Sequence, residues 1–332
     1  MPFLLNLIIR FVVALQVFPF TGEVPSILLR QGHQESNISR RTGKSKESDG
    51  YLAIISYGDR FLAAGTGGRI DYIDRAGKKT PVIASSHNNI NSIISSNQAI
   101  VAVGDKGTIL FSPDGSVFTG EESGTGNDIN AVTLKNGLFI AGADNGLILV
   151  SKNGRSWNTI HPEISSNILS LTANRSYCIG ITDNAEIIKS KDGIEWQVIN
   201  YNKVYAGYNK SCSFRKVTAT DSRIVIIGTH DDGSPSVLFS TLGNVWAERS
   251  LNYDDDQGMI RFLTSKPNGI TYDSERDQFI LACDSGEIFS LPSCTKCNTF
   301  ARISGNDLYA IVCVENYLIA VGEGFSVSAM RL

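Results

Sequence analysis

No surplus of charge marks this chain. Thirty basic side chains stand against 33 acidic ones in 332 residues, a formal net charge of -3. A nucleic-acid binder carries a basic surplus, so that class is excluded. Charged residues make up 19% and hydrophobic residues 42%, with a mean hydropathy of -0.03. That balance excludes both a disordered chain and a polytopic membrane protein. Proline (9), methionine (3), tryptophan (3) and histidine (4) are scarce. The histidines, His33, His87, His161 and His230, show no short metal-ligand spacing, and there is no Gly-x-Ser-x-Gly elbow and no Walker loop. Nothing designates a metal or a cofactor, so neither is expected. After residue 50 no stretch keeps a 3.6-residue period long enough for three helical turns, which excludes a helical domain. Glycine is plentiful instead, 31 residues without a collagen period. That is the mark of many tight turns between many short strands.

The one long apolar run is Phe3 to Phe20, interrupted by Asn6, Arg10 and Gln16. Read as a secretory signal, its n-region is 1–10 and its h-region 11–20, although Phe20 stands where cleavage wants a small residue. Read as an anchor, it only reaches the lower limit of about 18 apolar residues for crossing a bilayer. A mid-span Arg10 would then cost about 2.5–3.5 kcal/mol, which favours export. The expected division is 1–22 as signal peptide or anchor, 23–50 as closing strand and polar linker, and 51–332 as the folded domain. A secreted, periplasmic or cell-surface location follows from it, with membrane contact only through the N-terminal segment.

From Tyr51 onward the chain repeats itself. A turn of the form Ser-x-(Asp/Asn)-Gly-x-x-aromatic occurs as Ser112, Asp114, Gly115 and Phe118, as Ser151, Asn153, Gly154 and Trp157, and as Ser190, Asp192, Gly193 and Trp196. Weaker copies are Ser240, Gly243 and Trp246, Ser290 to Ser293, and Asp74 to Gly77, at spacings of 38, 39, 39, 50 and 50 residues. All three tryptophans fall at one place in the unit. Upstream of each turn lies a strand end of small residues, in seven copies from Ala64-Gly65 to Val321-Gly322. Seven units over residues 51–332 give about 40 residues each, the size of a four-stranded propeller blade. The expected fold is therefore all-β, a seven-bladed β-propeller of four-stranded antiparallel blades, acting as a monomer. The last unit has only three recognisable strands, and Val24–Arg30 is expected to supply the fourth and close the ring.

These turns resemble the Asp-box of the BNR-repeat propellers, the sialidase-like and photosystem-assembly-factor-like superfamily. Here the glycine follows the acid directly and the aromatic comes one residue early, a shortened variant. The resemblance covers residues 51–332 and implies a structural role for Ser112, Asp114, Gly115, Ser151, Asn153, Gly154, Trp157, Ser190, Asp192, Gly193, Trp196 and Trp246. Asp and Asn side chains bond their own backbone two residues on, and glycine takes the positive φ. The resemblance also raises a glycan-active hydrolase or lyase of sialidase-like architecture as the alternative function, a glycoside hydrolase if it is an enzyme. The Phe/Tyr-Arg-Ile-Pro motif that opens such enzymes is missing, since the first blade opens Tyr51-Leu-Ala-Ile-Ile, and no carboxylate pair is designated. A non-catalytic propeller that binds a glycan or protein partner is the favoured reading.

The turns between second and third strands carry Asp105, Asp144, Asp183, His230 with Asp231 and Asp232, Asp284 and Glu323. They form either an acidic rim or ordinary turns. Two connections on the same rim are enlarged, Ile199 to Ser213 and Leu251 to Asn268. Long loops in a compact repeat often carry function, so Tyr205, Tyr208, His230 and Asp255 are the expected ligand contacts. Of six cysteines, Cys294 and Cys297 form a Cys-x-x-Cys that reads as a local disulfide, as free thiols or as half a metal site. Cys178, Cys283 and Cys313 lie in strand patterns as small core residues.

Overall fold

Short β-branched runs parted by glycine turns build a ring of blades. The computed structural model describes residues 49–205, 210–249, 251–255, 257–292 and 297–332. Blades one to seven span 51–81, 90–121, 129–160, 168–200, 212–248, 267–302 and 308–331. Strands follow one another antiparallel in sequence order; six blades have four, and the seventh shows Leu308–Val314, Tyr317–Gly322 and Ser326–Arg331. The chain is thus the expected all-β, seven-bladed propeller. Blade two gains a further strand, Ile83–Ala84, which runs parallel to Val117–Glu121. Among the described residues the only α-helix is a single turn, Tyr201–Val204, and no helix is long and apolar enough to cross a membrane.

The second strand of each blade holds one of the seven small-residue ends. Ile100–Gly104, Cys178–Thr182 and Gln278–Cys283 are buried at every residue. Both faces of such a strand meet a neighbouring blade, so the sequence reads as a continuous apolar run rather than an alternation. Each fully buried Ile or Val contributes about 1.5–3 kcal/mol. The small residues have a separate cause. A Cβ on Gly104 or Gly322 would lie 1.9 or 2.0 Å from the carbonyl oxygen of Asn89 or Asp307, the residue just before the adjacent inner strand.

Seven hydrophobic clusters lie between successive blades, one for each neighbouring pair. The last joins Tyr51, Ile54, Phe61 and Ile73 of blade one to Ile319 and Val321 of blade seven. The ring is therefore closed by blade-on-blade packing. At the same seam Gly50 bridges Glu323, and Gly324 N–H donates to the Asp49 carbonyl at 2.6 Å. The expected closing strand Val24–Arg30 lies outside the described residues.

The serine turns join third to fourth strands, and their geometry follows from their side chains. Ser112, Ser151, Ser190 and Ser240 each accept through Oγ from the glycine N–H three residues on, at 2.8–2.9 Å. Asn153 and Asp192 each accept from the next two free N–H groups at 2.8–3.0 Å, and Asp114 accepts from Ser116 N–H at 2.9 Å. Those backbone bonds hold the Asp192 carboxyl below its usual range; the Ser116 hydroxyl and amide do so for Asp114. The turns press onto the preceding blade: Gly193 has φ +82, and a Cβ there would lie 2.4 Å from Ile140 Cδ1. Gly193→Ala is expected to destabilise the fold by about 1–3 kcal/mol, read as a lower urea midpoint at unchanged m-value.

Candidate functional site

The second-to-third-strand turns and the blade connections share one rim. Asp105, Asp144, Asp183 and Asp284 stand there, and side-chain amides occupy them. Asn91, Asn130, Asn167 and Asn268 donate to them at 2.8, 2.8, 2.9 and 2.7 Å. The next turn residue, Gly67, Lys106, Asn145 or Ser285, donates its N–H across to Asn89, Asp128, Asn167 or Asp307 of the following blade at 2.8–3.0 Å. The acids are held within their own blades, and the backbone N–H that follows each turn position stitches blade to blade.

Blade five departs from that pattern. Its strands Cys212–Ala219 and Ile224–His230 run on past the Phe214–Gly228 pair to Ser213–Thr229 and Cys212–His230. Thr229 takes the place of the turn acid. The turn that joins Ile224–His230 to Pro235–Ser240 is closed by Asp232, which accepts from Ser234 N–H at 3.0 Å and from Lys210 Nζ at 2.6 Å. The Lys210 ammonium and the Ser234 hydroxyl and amide hold the Asp232 carboxyl well below the usual carboxylate range.

All four strands of this blade converge on one polar cluster. His230 Nε2 lies 2.7 Å from Glu248 Oε1, with side-chain exposures of 9% and 16%. Cys212 Sγ lies 3.5 Å from His230 Nδ1 and 3.2 Å from Ser236 Oγ, and the Ser236 hydroxyl donates to Glu248 Oε1 at 2.8 Å. The order Cys–His–Glu is that of an activated nucleophile. However, burial pushes the Cys212 thiol up to about 11, so at neutral pH it is protonated and no ready nucleophile.

His230 and Glu248 form one wall of a cavity of about 440 Å³. Lys210, Ser234 and Arg249 add polar groups, and Pro235, Val237, Leu251, Phe262 and Leu263 supply an apolar side. Two larger cavities, about 550 and 630 Å³, are walled by the serine turns Lys191-Asp192 and Lys152-Asn153. Of these three, the blade-five cavity borders inserted chain.

That inserted chain is a hairpin, Asn252–Asp254 with Ile260–Phe262. Leu251 and Leu263 anchor its base in the core between blades five and six. Met259, Ile260 and Phe262 are 58%, 66% and 60% exposed. One edge is held, since Asn252 O accepts from Cys297 N–H at 2.9 Å. Among the described residues, Ile260–Phe262 pairs with Asn252–Asp254 alone and leaves its other edge open. Asp255 closes the hairpin turn: it accepts from Met259 N–H at 2.8 Å, Gln257 N–H at 3.0 Å and Arg261 Nε at 2.9 Å. The Met259 amide first, then Arg261, lowers its carboxyl below the ordinary value.

Of the four expected contacts, His230 lines the cavity. Asp255 is committed to its own turn. Tyr205 stacks on Tyr201 at 4.6 Å and accepts from Trp246 N–H at 2.9 Å, so it buttresses the wall between blades four and five. Tyr208 lies outside the described residues. Sequence reading missed Cys212 and Glu248, which stand 18 residues to either side of His230. Strand register alone brings them together. Cys178, Cys212, Cys283, Cys297 and Cys313 are free thiols, and Cys297 Sγ donates to Asn252 O at 3.4 Å; Cys294 lies outside the described residues.

No protein-family model matches the sequence, and no curated protein is similar to it at a significant level. Solved structures are similar in fold. The YCF48 protein of Cyanidioschyzon merolae superposes with a TM-score of 0.63 at 13% identity, covering 86% of this chain and 96% of that one. A structure of YCF48 bound to D1 peptide gives 0.64 at 14% identity, covering 86% and 94%. The WD40 propeller domain of Doa1 gives 0.63 at 11% identity, covering 85% and 93%. At such identities the likeness is one of fold, and the chain is a β-propeller similar to these.

Proposed function

We propose that this chain is a non-catalytic, exported propeller that holds an extended segment of a partner protein on the rim of blade five. The observation that carries the reading is the open strand Ile260–Phe262, apolar and exposed, at the border of a cavity. An extended peptide adds to such an edge through main-chain hydrogen bonds, and side-chain pockets give specificity. Arg249 borders the cavity and Lys266 lies beside the Gly233 turn, both exposed. Their charge selects a segment with carboxylates flanking an apolar residue. A propeller of similar fold bound to a peptide supports this over a glycan. Tyr205 is turned to packing, which weakens the case for a sugar platform.

Peptides selected from a displayed random library on the purified chain are expected to pair an aromatic or aliphatic residue with Asp or Glu. Phe262→Glu should weaken them at least tenfold, about 1.4 kcal/mol, whereas Val245→Glu on the serine-turn face should leave affinity unchanged. Loss with Val245→Glu and retention with Phe262→Glu overturns the reading. Export is tested separately by mass spectrometry of the mature N-terminus. An intact Met1 on cytosolic protein contradicts it.

A further inference from the structure

We propose that Cys212, His230 and Glu248 form a binding site for a divalent transition-metal ion of the zinc class. The three side chains offer sulfur, nitrogen and oxygen donors, and one ligand atom from each lies within 4.8 Å of the others. Zinc takes this mixed donor set, with bonds of about 2.0–2.3 Å. The ligand-to-ligand edges of such a tetrahedron are about 3.3–3.8 Å. The 3.5 Å from Cys212 Sγ to His230 Nδ1 falls in that range; Glu248 Oε1 stands 2.7 Å from the other ring nitrogen, Nε2, so a change of side-chain rotamer is needed to bring all three donors onto one ion.

The donors come from three strands of one blade, Cys212–Ala219, Ile224–His230 and Ala247–Glu248. Neighbouring strands fix their separation more closely than loops do. The fourth strand supplies the outer partner: Ser236 Oγ bonds both Cys212 and Glu248, as groups that orient metal ligands do. His230 Nε2 faces the Glu248 carboxylate, while Nδ1 faces the Ser211 carbonyl at 3.2 Å and the Cys212 sulfur. Binding releases the Cys212 thiol proton to solvent and forms one metal–sulfur bond, with no change of oxidation state. With three protein ligands, the fourth position is left for water or a ligand donor. The site stands independently of the peptide reading.

The test uses Co2+ as an optical probe and Zn2+ by calorimetry on the whole chain. One Co2+ per chain with a thiolate-to-cobalt charge-transfer band is expected, displaced by Zn2+. Cys212→Ser should abolish the band, His230→Gln and Glu248→Gln should weaken binding at least a hundredfold, and Ser236→Ala should weaken it about 10–100-fold. Thermal unfolding of each variant without metal confirms that it folds. If Cys212→Ser does not fold, the Glu248→Gln titration decides. Cys294→Ser should leave the band intact. Absence of a thiolate band, or its loss with Cys294→Ser and retention with Cys212→Ser, overturns the proposal.

Discussion

Arg69→Leu is expected to destabilise the fold by about 3 kcal/mol, acting at the seam that closes the ring. Asp71 is fully buried and accepts from Arg69 Nε at 2.6 Å and from the Tyr51 hydroxyl. Among the described residues its other oxygen has no partner. The Arg69 guanidinium also lies over Phe325, 4.5 Å from the ring centre, and Tyr51 meets Phe325 edge-on at 5.2 Å. One cation thus neutralises a buried carboxylate and holds blade seven to blade one. Leucine keeps much of the stem packing but leaves the charge unbalanced. Breaking a buried pair costs about 3–5 kcal/mol; Arg69 is 40% exposed, which places the effect at the low end. Equilibrium urea unfolding should show a lower midpoint, partly restored by Asp71→Leu in the same chain. An unchanged midpoint would mean that the seam does not limit stability.

Trp246→Ala is expected to cost about 3–5 kcal/mol, the range for emptying a buried aromatic site. The indole is 3% exposed and packs with Ile224, Phe214 and Tyr201 between blades four and five. Among the described residues its Nε1 has no hydrogen-bond partner, unlike Trp157 and Trp196, which donate to the carbonyls of Gly154 and Gly193 at 3.0 and 3.1 Å. Trp246→Phe removes that unpaired donor along with part of the ring. Relief of an unsatisfied group, about 1–3 kcal/mol, offsets the lost packing, so phenylalanine should lose less than half of what alanine loses. Equal losses from the two substitutions would show that the indole N–H is satisfied in solution.

Much of this was legible because repetition makes local signals redundant. The serine turns, the small strand ends and the tryptophans each carry the period, and their spacing gives the blade length without any long-range information. Blade five was legible only as an irregularity, through its 50-residue spacing and the His230-Asp231-Asp232 turn. What the turn could not reveal is register. Extending one hairpin by two residues sets Cys212 opposite His230, and the outer strand then brings Glu248 to the same spot, each 18 residues away. Tyr205 misled for the converse reason. A tyrosine in an enlarged loop suggests a ligand platform, but its hydroxyl caps a buried backbone N–H at Trp246. The rim acids read as either a charged surface or ordinary turns, and asparagines on the adjoining inner strand of the same blade bond to them.

Hydrogen exchange followed by mass spectrometry, with and without a selected acidic–apolar peptide, tests the blade-five account most directly. Strand addition gives the outward-facing amides of Ile260 and Phe262 new partners, so exchange there should slow by tenfold or more, together with the turn 230–234. The serine-turn segments 191–196 and 152–157 should exchange unchanged. Protection confined to those serine turns, with none at 260–262, would contradict the placement of the partner on blade five.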